Sequence, residues 1–156
     1  MSLARFSLFK LADGAAVGAI GATLVNAAAY LIGIEGIDIS EVAIVLAIGS
    51  LAYGIAREEY DLAKTPDETI KFSLAKDVGE KYKHHSVLSR FAAKTGVNIT
   101  GNAISTVPRV IELALYGLLN KGNSEFCYGV STLALSVIAG SAIETIYQDS
   151  IPKFKF

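Results

Sequence analysis

Arg109 and Glu112 stand three residues apart in the stretch STVPRVIELALYG, in surroundings that are otherwise apolar or uncharged. On a helix that spacing puts a guanidinium and a carboxylate on neighbouring turns, where they can pair. Within a membrane span, such a pair would mark the path of an ion or a substrate. On a surface facing water or another subunit it is a salt bridge. Two charges near mid-bilayer would cost roughly 2.5–3.5 kcal/mol each before any pairing relief. Only eight uncharged residues separate Glu112 from Lys121, so the salt bridge is the simpler reading.

The other residues capable of chemistry do not combine. His84 and His85 are adjacent, so on a helix they point about 100° apart and do not readily share a metal; a solvated junction is expected. Cys127 lies at the start of an apolar helix without a nearby base, which is the setting of a buried structural thiol. Glu58, Glu59 and Asp61 could form a carboxylate site at a helix end. A two-metal bundle would want a Glu-x-x-His opposite, and the matching region offers only Glu144 and Asp149. The Gly-x-x-Gly runs lack a preceding strand, so no phosphate loop is implied. Asn98-Ile99-Thr100 is a glycosylation sequon by pattern alone. The tail KFKF at 153–156 is basic and aromatic, suited to lipid headgroups or a neighbouring subunit. No nucleophile–base pair or metal-ligand set emerges, so the expectation is a non-enzyme without cofactor or metal.

These residues sit in a chain of 156, enough for one domain with a real core. It is 52% hydrophobic, with mean hydropathy +0.45 and net charge −1. No basic field draws in nucleic acid, whose part is at most indirect. One cysteine excludes an internal disulfide. One Met, one Gln (Gln148) and no Trp fit a thermophilic source. Lys10 and Asp13 interrupt the apolar N-terminal run, which does not read as a signal peptide.

Sliding the sequence on itself by 87 residues aligns 31–60 with 118–147 without a gap. Leu31/Leu118, Leu46/Leu133, Ala52/Ala139 and Tyr60/Tyr147 coincide, and so do Gly14/Gly101 upstream. With a two-residue shift, LARF at 3–6 meets LSRF at 88–91. A tandem repeat is expected, with hairpin one in 2–64 and hairpin two in 86–150. Each repeat reads as a short amphipathic lead-in, at 2–11 and 86–95, followed by two antiparallel helices. The second lead-in should stop before Gly96. The helices are expected at 14–34 and 41–60, then at 101–119 and 125–148, with Ser40 and Ser124 as N-caps. Between the repeats, 57–94 holds 15 of the 29 charged residues. Thr65-Pro66-Asp67-Glu68 is a capping box, and Ile70, Leu74 and Val78 form one apolar stripe. A charged connecting helix over 65–85 follows. The fold class is all-α: two tandem helical hairpins in a four-helix unit.

Residues 15–34 and 126–143 are uncharged over 20 and 18 positions, and 42–56 over 15. The first is long enough to cross roughly 30 Å of hydrocarbon. The acidic first turn and the basic residues opposite it also suit four spans with cytoplasmic termini. Either way, apolar faces on most sides exceed what a solitary soluble chain tolerates. Lipid or other copies must cover them. Gly14, Gly18, Gly21, Ala22, Leu46, Gly49, Leu133 and Gly140 are the residues expected to pack subunits, since small residues let backbones approach closely.

The Gly/Ala-rich 14–34, LAIGSLAYGIA at 46–56 and LALSVIAGSAI at 133–143 give the chain a profile that resembles the major coat proteins of spindle-shaped viruses of thermophilic archaea. The resemblance covers architecture and composition over 2–148 and transfers no functional residue. It implies a four-helix, strongly apolar subunit that builds a virion shell with copies of itself. It also implies strands that slide past one another, since a smooth Ala/Gly/Leu face attracts without direction. The alternative from the residues alone is a small four-span protein of the cell membrane, a channel or transporter using Arg109 and Glu112.

Overall fold

A computed structural model describes residues 3–56, 81, 83–120 and 122–150. Four helices account for most of them: α1 (Leu3–Ile32), α2 (Ile39–Ala56), α3 (Val87–Asn120) and α4 (Asn123–Ser150). The fold is all-α, with no strand among the described residues. Most of the expected connecting helix over 65–85, the cluster Glu58, Glu59 and Asp61, and the 153–156 tail lie outside the described residues.

The helices form a ring in which α1 packs on α2, α2 on α3, α3 on α4 and α4 on α1. Leu46 and Leu133, aligned by the 87-residue repeat, enter one core with Val17, Ala22, Val42 and Val137. Both expected lead-ins are instead continuous with the helices that follow. Asp13–Gly14 and Gly96 do not break them. A glycine costs a helix only about 1 kcal/mol relative to Ala, and tertiary bonds hold both segments. Tyr147 donates a hydrogen bond to Asp13 (2.7 Å), and Thr95 and Asn98 donate to Thr145 Oγ1 (3.1 and 3.0 Å). Pro108 lies inside α3. In the turn before it the Ser105 and Thr106 hydroxyls donate to the Gly101 and Ala103 carbonyls, a back-bonding that bends helices.

Helix ends follow local chemistry. α1 stops at Gly33, whose φ of +71° is the left-handed conformation that favours glycine. Ile34 N–H bonds to the Ala29 carbonyl and Gly33 N–H to that of Tyr30, which is the Schellman closure. α2 is capped by Asp38 rather than Ser40. The Asp38 carboxylate accepts from the backbone N–H of Ser40 and Glu41 and from the Ser40 hydroxyl. An aspartate two residues earlier outcompetes the serine because its charge also meets the helix dipole. α3 is capped by Ser86, whose hydroxyl accepts from Ser89 N–H. α4 begins at Asn123, one residue before the Ser124 expected to cap it.

The turn end is uneven. The close approaches Gly18–Val42, Gly21–Ser136 and Gly117–Phe126 fix the registers. By those registers α1, α3 and α4 reach one height, while α2 starts about ten residues lower, or about 15 Å. Residues 33–38 descend along α1 to meet it. Asn26 clamps this strap, donating to the Ile37 carbonyl (2.9 Å) and accepting from Ile37 N–H (2.7 Å).

Candidate interaction surface and polar sites

The eight small and apolar residues expected between subunits are buried inside the single chain. This corrects the expectation. A Cβ on Gly14 would strike the Leu46 carbonyl, one on Gly18 the Val42 carbonyl, and one on Gly21 the Ser136 carbonyl. Gly49 meets Ser105 and Gly140 meets Val17 in the same way, while Ala22, Leu46 and Leu133 fill the core. Small residues do mark close backbone approach. Here the nearest backbones are the chain's own, within one hairpin at Gly14 and Gly18 and between the hairpins at Gly21, Gly49 and Gly140.

What remains for the outside is large and oily. Among the described residues twenty-four large apolar side chains are exposed, and all but Ile34 come from the four helices. The interior is mixed instead: among the described residues eight apolar ones are buried beside nine polar or charged ones. This inverts the ordinary soluble pattern.

The buried polar residues lie chiefly on α3 and α4, with Lys10 of α1. Asn102 Nδ2 donates to Glu144 Oε2 (2.8 Å) and to Ser141 Oγ (2.9 Å). Thr145 donates back to the Ser141 carbonyl. Glu144 and Lys10 are each only 1% exposed, and the Lys10 ammonium lies 6.0 Å from the centre of the Phe6 ring. The sequence shows Glu144 only as a weak metal ligand, Asn98 only as a sequon and Lys10 only as a break in an apolar run, and Asn102 gave no signal of its own. The available signal was their spacing: 98, 102 and 105 on α3 recur at helical intervals, as do 137, 141, 144 and 145 on α4. Asn98 is buried and bonded, so its sequon is closed in this fold.

Arg109 pairs with Glu112 (2.8 Å) and also with Glu41 at the start of α2. The hydrogen bond to Glu112 raises the guanidinium's pKa; partial burial opposes this, and the Glu41 charge reinforces it. The trio borders a notch above the short α2, lined by Asp38, Ser40, Glu41, Ile44, Val45, Arg109 and Glu112, with a volume of about 420 Å³. The sequence had found the pair but not Glu41, which is 68 residues away and joined only by the fold. His84 and His85 are exposed in the turn before α3. Cys127 is exposed, correcting the expected buried thiol. The inward row of α4 runs through Gly129, Leu133, Val137 and Gly140, and Cys127 falls outside it. No group of three or more His, Cys, Asp or Glu comes together among the described residues.

The site is therefore a surface rather than a pocket: a four-helix bundle with a partly polar interior and a largely apolar exterior. No protein-family model matches the chain, and no curated protein or solved structure matches it.

Proposed function

We propose that this chain is a structural subunit that assembles with copies of itself, as the coat of a virion. The observation that carries the reading is the apolar exterior on all four helices around a partly polar interior. Such a bundle needs a cover, and identical neighbours supply one.

A second reading has its own support. Three helices, Leu3–Ile32, Ile39–Ala56 and Asn123–Tyr147, are long and apolar enough to cross a membrane. Tyr30, Tyr116 and Tyr128 share about one height, as interfacial tyrosines do. In that reading the chain resides in the cell membrane. The heights of the uncharged bands weigh for assembly. Between Lys94 and Arg109, α3 has 14 uncharged residues, about 21 Å. Between Asp13 and its end at Ile32, α1 has 19, about 28 Å. One bilayer of roughly 30 Å suits the second and not the first, whereas copies of the chain carry no fixed thickness.

Negative-stain microscopy of the purified chain, with and without detergent, separates the two. Tubes or strands in detergent-free buffer are the expected result. Small uniform particles obtained only in detergent would overturn the assembly reading and favour the membrane one.

A further inference from the structure

We propose that copies of this chain join head to tail, the turn end of one bundle seating on the chain-start end of the next. The inference deepens the self-assembly reading and rests on it. Its first support is where the exposed oil concentrates. The eight most exposed large apolar side chains all lie at the two ends. Tyr30, Leu31 and Leu119 stand at the turn end, 85%, 82% and 82% exposed. Val87 and Leu88 stand at the other, 74% and 76% exposed. The exposed apolar side chains along the helix sides are less fully uncovered.

The second support is charge. Among the described residues Glu35 and Glu125 stand at the turn end, and Asp38, Glu41 and Glu112 lie about 10–15 Å below it with one cation, Arg109. The opposite end is richer in cations, among them Arg5, Lys81, Arg90 and Lys94. Opposite signs at the two ends favour head-to-tail contact and oppose head-to-head or tail-to-tail contact. A heterologous contact of this kind does not close on itself when its rotation is open, and it generates strands.

The test uses the full chain in detergent-free buffer. One variant makes the turn end basic (Glu35→Lys with Glu125→Lys). Another makes the chain-start end acidic (Lys81→Glu with Arg90→Glu). Each alone presents like charge at both ends of the contact, and the protein concentration needed for strands should rise about tenfold or more. An equimolar mixture of the two should restore strands near the wild-type concentration, with the variants alternating. Restoration also shows that both variants fold. The proposal is overturned if either variant alone forms strands like the wild type. It is equally overturned if the mixture fails while circular dichroism finds both variants helical. If the wild type itself forms nothing without detergent, the self-assembly reading fails first and this contact falls with it.

Discussion

Gly21→Ala is the sharpest probe of how the bundle holds together. In a free helix the change stabilises by about 1 kcal/mol, because alanine loses less backbone freedom than glycine. Here the added Cβ would enter the Ser136 backbone carbonyl of α4. A side chain could rotate away, but a carbonyl inside a helix cannot, so α1 and α4 must part. Overpacking of this kind costs about 1–3 kcal/mol, and a backbone obstacle belongs at the upper end. The net expectation is a loss of about 2 kcal/mol. For a chain of this size that lowers Tm by about 4–8 °C. Gly96→Ala is the matched control, since nothing lies within 4 Å of its Cβ position; it should gain about 0.5–1 kcal/mol. Denaturant unfolding followed by circular dichroism, at one fixed protein concentration, compares the two. Equal stabilisation by both substitutions would refute the close α1–α4 approach and return Gly21 to a role between subunits.

Other perturbations test other parts of the structure. Asn102→Ala removes the donor to the buried Glu144 carboxylate, and hydrogen bonds to charged groups are worth about 1.5–3 kcal/mol; a loss in that range by chemical denaturation is expected, and a neutral outcome would contradict the buried network. The Asp38 carboxylate has a pKa below the ordinary aspartate value, owing first to the Ser40 hydroxyl and then to the Glu41 and Ser40 N–H groups. A depressed carboxylate stabilises the fold above its unfolded value, about 3.9, and loses that contribution as pH falls through the folded value. Helicity should therefore weaken on acidification below about pH 4 in the wild type, with a smaller share of that loss in Asp38→Asn. Cys127 is exposed at the turn end, so a maleimide should label it readily in detergent-dispersed chains and about tenfold more slowly in head-to-tail strands, as mass spectrometry would show. Equal labelling rates would place the contact elsewhere.

Much of the architecture was legible because the relevant signals are local. Short polar turns and long uncharged runs gave four helices in two hairpins, and the repeat placed Leu46 and Leu133 at equivalent core positions. What sequence missed depends on partners far along the chain. The lead-ins merged with their helices because Tyr147 and Thr145 hold Asp13, Thr95 and Asn98 from the other end of the sequence. The Arg109–Glu112 pair was readable from its spacing, while Glu41 entered only through the packing of α2 on α3. The small residues were rightly read as sites of close approach, but spacing does not say whose backbone approaches. Loop length decided it at Gly14 and Gly18, which meet α2 within one hairpin, while Gly21, Gly49 and Gly140 meet helices of the other hairpin through the packing of the ring.

The polar seam between α3 and α4 has a bearing on the life history of the molecule. Asn98, Ser141, Glu144 and Thr145 are buried, and with the half-buried Asn102 they are fastened to one another. Ties of that sort grow stronger, not weaker, when the surroundings become drier. A polypeptide stapled this way would keep its shape whether greasy neighbours are hydrocarbon tails or sister chains.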